Sequence, residues 1–224
     1  MMRKVLVLIL LFTIQLGFTQ KTYNFNLSTV YETTNSKGGK SLYINYNDTV
    51  NNNYRLIFYS KDNNIKNVSL LDYKDHINYN FEITNLNFES LDFSTDFKNY
   101  SISKVPVTTN GICYRYKNYT RIIEKLNDSI QIETFNFYKD KKKKDLVYNV
   151  KIETLTTRFI KNIVPTDFIF IIKECIDENY EVKIVKSINT KHFKNNELSF
   201  EENTKLLSIN PTNFSINIQQ WKNI

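Results

Sequence analysis

Few residues in this chain have the chemistry of a site. His76 closes the run Asp72-Tyr73-Lys74-Asp75-His76, and an imidazole beside carboxylates has the composition of a general base or of half a metal centre. The other histidine, His192, stands between Lys191 and Phe193. They form no His-x-x-x-His pair and no third ligand is spaced to join either, so both read as surface or part-buried histidines and no metal site is assigned.

Nucleophile and phosphate motifs are equally scarce. There is no Gly-x-Ser-x-Gly elbow, and the chain's 4 glycines do not form a phosphate-cradling loop. No catalytic residue and no cofactor-binding residue is therefore named. Scattered Asp and Glu leave a hydrolase with a carboxylate pair as an alternative function, without a pair to point to. The enzyme question stays open, with a non-catalytic role the favoured side.

Two further features could act without catalysis. Cys113 and Cys175 are the only cysteines; in an oxidising compartment they form one disulfide, and otherwise they are two separate thiols. A bridge would close a loop of about 62 residues and contribute roughly 2 to 4 kcal/mol. The run Lys139-Asp140-Lys141-Lys142-Lys143-Lys144-Asp145 is the one concentrated charge feature. Lys141, Lys142, Lys143 and Lys144 would either contact an anionic surface or keep a hairpin tip solvated.

The compartment follows from the start of the chain. Arg3 and Lys4 precede the apolar run Val5 to Phe12, and small residues stand at Gly17 and Thr19. Positive segment, short apolar run and small residues are the parts of a secretory signal peptide, so residues 1–19 read as an export signal. The run is broken by Thr13 and Gln15, no second apolar span follows, and Gln20 stands where a lipoprotein would need cysteine. The expectation is a periplasmic or secreted protein with no permanent transmembrane segment after processing.

Removing residues 1–19 lowers the formal charge from +7 to +5, because Arg3 and Lys4 leave. Positive residues in the remainder are interspersed with Asp and Glu, and no nucleic-acid partner is expected. Tyr, Phe, Ile and Val supply the apolar content, whereas Ala, the strongest helix former, is absent. This composition favours a mainly β protein. Asn-x-Ser/Thr triplets at Asn26, Asn47, Asn67, Asn99, Asn118, Asn127 and Asn213 reflect a general excess of Asn rather than glycosylation.

Period-two alternation marks the elements. It predicts strands over 22–31, 41–46, 54–59, 65–71 and 76–83, separated by Asn- and Asp-rich turns. In the second half it predicts strands over 130–138 and 146–155 around the lysine-rich tip, then 181–188 and a closing strand at Phe214-Ser215-Ile216-Asn217-Ile218. The apolar run 166–172 is either a central strand or a short buried helix. Helical spacing of Tyr119, Ile122, Ile123 and Leu126 predicts a helix over 118–126, and a second short helix is expected within 197–208. Val105-Pro106-Val107-Thr108-Thr109-Asn110-Gly111 is the one internal boundary, where Pro106 and Gly111 oppose a central strand.

The fold expected for residues 20–224 is thus one domain: a single antiparallel curved sheet, or an open barrel or sandwich, with one or two short helices. The stretch Leu16-Gly17-Phe18-Thr19-Gln20, the Tyr23-containing first strand and the succession of short strands from Tyr43 to Leu71 resemble the uncharacterised exported β-rich proteins common in Bacteroidetes. The architecture is also similar to periplasmic lipoprotein-carrier folds, a resemblance that implies a concave aromatic and aliphatic face sheltering an acyl chain. The functional expectation is an exported binding or envelope-associated protein, with a lipid or other hydrophobic ligand, an envelope component or a protein as partner. The alternative is a structural or protein-interaction module with a filled core.

Overall fold

The computed structural model describes residues 18–51, 53–61, 64–81, 100–104, 116, 118–155 and 184–221. The first half holds six strands: β1 (Phe18–Asn35), β2 (Lys40–Asn47), β3 (Tyr54–Lys61), β4 (Asn64–Asp72), β5 (Ile77–Phe81) and β6 (Tyr100–Lys104). The second holds five: β7 (Asn118–Lys125), β8 (Ile130–Tyr138), β9 (Leu146–Leu155), β10 (Ile184–Lys194) and β11 (Glu197–Trp221). They form one antiparallel sheet in the order β6-β5-β4-β3-β2-β1-β11-β10-β9-β8-β7. Each half is an up-and-down meander, and the two are joined at the middle of the sheet by β1 and β11. The outermost strands, β6 and β7, run in the same direction, and the sheet is not closed into a barrel.

Local chemistry sets the turns. At the β10–β11 hairpin Asn195 and Asn196 have φ of 54° and 64°, the pair of left-handed residues that a two-residue turn between twisted strands requires. Gly38 takes φ of 80° in the β1–β2 turn, where the Asn35 side-chain oxygen accepts the N–H groups of Lys37 and Gly39. Asn127 does the same for Ser129 and Ile130 between β7 and β8. Asp140 accepts the N–H groups of Lys144 and Asp145 between β8 and β9.

The sheet is strongly coiled. In a flat sheet β1 and β5 would lie about 19 Å apart, four strand spacings, yet the rings of Tyr23 on β1 and Tyr79 on β5 have centroids 6.2 Å apart. Tyr23 also meets Tyr54 on β3 edge-on at 5.0 Å. The bend begins where β2 stops. Leu27 opposite Asn47 is the last β1–β2 pair, Leu27, Ser28 and Thr29 are buried in succession, and the first part of β1 continues with β11 alone. Opposite the bend β11 takes an extra residue between Pro211 and Phe214, where Pro211 has no N–H to offer the ladder.

This fold-back makes the larger core. Tyr23, Phe25, Ile216 and Ile218 from the central ribbon bury against Leu56 and Phe58 of β3, Leu70 of β4 and Phe81 of β5. A second core holds Phe135, Phe137, Val150, Ile152, Val185 and Ile188 from β8 to β10. Across β4 to β6 an Asn/Ser ladder runs instead: Ser69 donates to Asn80, which donates to Ser103.

The expected helices are corrected by the structure: among the described residues there is none. Residues 118–125 form β7, paired with β8 from Asn118 opposite Tyr138 to Lys125 opposite Gln131. Thr120, Ile122 and Ile123 are β-branched and suit a strand, and ladder pairing outweighs the chance spacing of four apolar residues. The segment 197–208 lies within β11, whose extra residues near Leu207 and Thr212 interrupt strict alternation. The expected boundary at 105–111, the run 166–172 and most of the expected export signal, residues 1–17 of 1–19, lie outside the described residues; Phe18 and Thr19 pair with Trp221 and Gln220.

Candidate functional site

The residues first singled out fall in different places. His76 sits in the β4–β5 turn with φ of 55° and is exposed. Its neighbour Asp72 is engaged elsewhere: the buried carboxylate accepts from Lys21 Nζ, from the Tyr23 hydroxyl at 2.8 Å, and from the N–H groups of Lys74 and Asp75. Lys21 also reaches Asp75 at 2.5 Å. Burial by itself pushes the Asp72 carboxyl upward, but the bonds from Lys21, the Asp75 N–H and Tyr23 outweigh it and hold it below the usual carboxylate range. The run 72–76 is thus a pin that fastens the start of β1 to the end of β4.

Both cysteines, Cys113 and Cys175, lie outside the described residues. Lys141, Lys142, Lys143 and Lys144 occupy the exposed β8–β9 tip. Among the described residues no group of three or more His, Cys, Asp and Glu side chains could hold a metal ion. No described helix is long and apolar enough to cross a membrane. Of the Asn-x-Ser/Thr triplets, Asn47 is buried in the sheet and closed to modification.

His192 is the one early candidate that joins a cluster. It lies on β10 opposite Tyr148 of β9 and Phe200 of β11, with ring centroids at 4.4 Å and 5.4 Å. Partial burial lowers its pKa and so favours the neutral ring. Tyr148 in turn faces Phe137 of β8 across the ladder, and Phe137 meets Tyr119 of β7 at 5.7 Å. Cross-strand neighbours on one sheet face therefore compose a continuous band of rings from β7 to β11. Phe135 and Phe137 are fully buried in it, whereas Tyr119, Tyr148, His192 and Phe200 are part-exposed.

One ion pair stands beside this band. Arg121 of β7 donates through Nε and Nη2 to Glu133 of β8, at 3.0 Å and 2.7 Å, and its guanidinium lies 5.6 Å from the centre of the Phe135 ring. Glu133 is wholly buried, and Gln131 donates to its other oxygen at 2.9 Å. Both carboxylate oxygens are thus occupied, which stabilises the charge and leaves no free base.

The arrangement is suited to holding something apolar. The band offers ring edges and faces, a part-buried imidazole and a compensated ion pair. Reading the chain alone places Phe135 and Phe137 in the expected strand 130–138, Tyr148 in the expected strand 146–155 and Phe200 in an expected short helix within 197–208, and their union depends on hairpin register. The two-residue turn at Asn195-Asn196, which places His192 near Phe200, was the signal that could have found it. No protein-family model and no curated protein matches the sequence.

Proposed function

We propose that the protein is an exported, non-catalytic binding protein of the periplasm or extracellular space that shelters a lipid or other hydrophobic ligand against the ring band of β7 to β11. The observation that carries this reading is the unbroken cross-strand succession Tyr119, Phe137, Tyr148, His192 and Phe200, in which Phe137 is buried and the other four rings are part-exposed. Apolar sites of this kind gain affinity from area and shape, with a few polar groups fixing orientation. Export is supported by the sequence of residues 1–19.

The test is organic extraction of the purified protein followed by mass spectrometry, paired with displacement of a fluorescent fatty-acid analogue. Bound acyl lipid, and probe affinity about tenfold weaker in a Tyr148→Ser/Phe200→Ser variant, is the expected result. A folded protein that yields no lipid and takes up no probe overturns the reading.

A second reading rests on β7. Ile122, Ile123 and Leu126 are about half exposed on and beside the outermost strand among the described residues, the exposure expected of an interaction module that adds a partner strand there. Sedimentation velocity with and without Ile122→Lys tests it; a monomer in both cases, at all concentrations, removes self-pairing.

A further inference from the structure

The sheet gathers lysine at one end. The antiparallel registers put the tips of the β1–β2, β3–β4, β8–β9 and β10–β11 hairpins at the same edge of the fold, together with the β5–β6 junction, whose connecting residues 82–99 lie outside the described residues and include Glu82, Glu89, Asp92 and Asp96. Two of these junctions are fixed by contacts between hairpins. The Leu146 N–H at the base of the β8–β9 tip donates to the Asn196 side-chain oxygen of the β10–β11 tip at 3.1 Å. In the β1–β2 tip, the Ser36 N–H donates to the Glu201 carbonyl at 2.8 Å, and the Glu201 N–H returns to the Ser36 hydroxyl.

The described residues of these tips, 36–40, 61, 139–145 and 194–197, carry nine lysines against three carboxylates, Asp140, Asp145 and Glu197; a fourth, Asp62, follows Lys61 outside the described residues. Asp140 spends both oxygens on backbone N–H groups of its own turn. Lys40 pairs with Glu32 at 3.5 Å, and no ion pair to the other eight tip lysines is seen among the described residues. The opposite end of the sheet is mixed among the described residues, with Asp48, Asp72, Asp75, Glu124 and Asp128 beside Lys21, Lys74, Lys104 and Lys125.

We propose that this lysine-rich end is a docking surface for an anionic membrane leaflet. The charges are all lysine, with no arginine in any of the four tips. Arginine's planar fork suits one bidentate phosphate, whereas ammonium groups on long flexible stems suit a diffuse layer of headgroup phosphates. Spread over several hairpins across the width of the sheet, the lysines meet a surface rather than a single ligand. The proposal is independent of the ring band, because headgroup attraction needs no ligand in the fold.

The experiment is flotation of the full chain with vesicles of phosphatidylglycerol and phosphatidylethanolamine, against vesicles of phosphatidylcholine and phosphatidylethanolamine. The altered chain carries Lys141→Ser, Lys142→Ser, Lys143→Asn and Lys144→Ser; asparagine is used at 143 because that residue has φ of 56°. Binding confined to the anionic vesicles, weakened by salt and about tenfold or more weaker in the fourfold variant, is expected. A Lys104→Ser/Lys125→Ser variant at the opposite end, with matching circular dichroism, retains binding. Equal retention on neutral vesicles, unchanged binding of the fourfold variant, or tighter capture by heparin or oligonucleotide than by anionic vesicles at one ionic strength overturns the proposal.

Discussion

Tyr23 and Tyr79 are four strands apart in the sheet and yet in ring contact, 6.2 Å between centroids, while the Tyr23 hydroxyl bonds Asp72 at 2.8 Å. One side chain therefore joins the apolar core to the buried polar pin. Tyr23→Phe keeps the ring and strips one donor from a buried carboxylate, which costs about 1–3 kcal/mol. Tyr23→Ala also opens a cavity and costs about 3–5 kcal/mol. Urea unfolding followed by circular dichroism orders wild type, Phe and Ala in that sequence; an equal effect of the two variants contradicts the separation of ring and hydroxyl.

Asp72 sets an acid limit. Its pKa is lowered in the folded protein, so the pin contributes stability above the unfolded carboxylate pKa of about 3.9, and that contribution is lost as pH falls through the lower folded value. Thermal melts of wild type should lose stability on acidification through this window. Asp72→Asn should be less stable at pH 7 and show a shallower acid slope. Parallel slopes for the two proteins would assign the acid transition to other carboxylates.

Buried phenols set an alkaline limit. Burial, together with its bond to the Asp48 carboxylate, pushes Tyr54 up to about 12, and burial raises Tyr23 and Tyr31 as well. A raised folded pKa gives stability that is fully present below pH 10 and lost as pH rises through the folded value. Tyrosinate absorbance should therefore rise in two steps, exposed phenols first and the buried set together with loss of the β signal in circular dichroism. A single step with the fold intact contradicts this.

Arg121 pairs with Glu133, whose carboxylate is wholly buried. Arg121→Met strips the Nε and Nη2 donors from that buried charge and should cost about 3–5 kcal/mol. Adding Glu133→Met should restore most of the loss, since a well-packed apolar pair replaces a desolvated one. Chemical unfolding of the two single variants and the double variant tests this as a cycle; additive losses would show that the pair is not coupled.

The β10–β11 turn separates backbone from side-chain contributions. Asn196 has φ of 64° and its side chain accepts the Leu146 N–H. Asn196→Gly keeps the left-handed backbone and loses the bond, at a cost of about 1 kcal/mol, whereas Asn196→Ala strains the turn in addition and costs about 1 kcal/mol more. Equal melting temperatures for the two variants would remove the strain argument.

Strand positions were legible where alternation is strict and turns are chemically marked. β8 and β9 coincide with residues 130–138 and 146–155 because Phe135, Phe137, Val150 and Ile152 alternate without interruption around a charged tip. β7 was misread because an edge strand is free to carry apolar residues on both faces, and Ile122-Ile123 fits a helical stripe as well as a ladder. β11 was split because its extra residues break the period. The Asp72 pin was invisible locally: Lys21 and Asp72 are 51 positions apart, and only the coil of the sheet brings them together. The ring band was hidden for the same reason, since His192 acquires its neighbours through two separate registers.

The seam between β1 and β11 lies at the middle of the sheet, whereas β6 and β7, joined by the middle of the chain, lie at its edges. Gln20 stands opposite Gln219, so a short linker joining the chain there, with a cut between Lys104 and Asn118, gives the order β7 to β11 followed by β1 to β6. Every ladder in that circular permutant connects strands adjacent in sequence. The native order must close nearly its whole length before its central ladder can zip, and the rearranged one closes only hairpins. The same architecture reached through nearest-neighbour contacts should assemble faster, which makes the position of the chain ends, rather than any side chain, the determinant of folding speed.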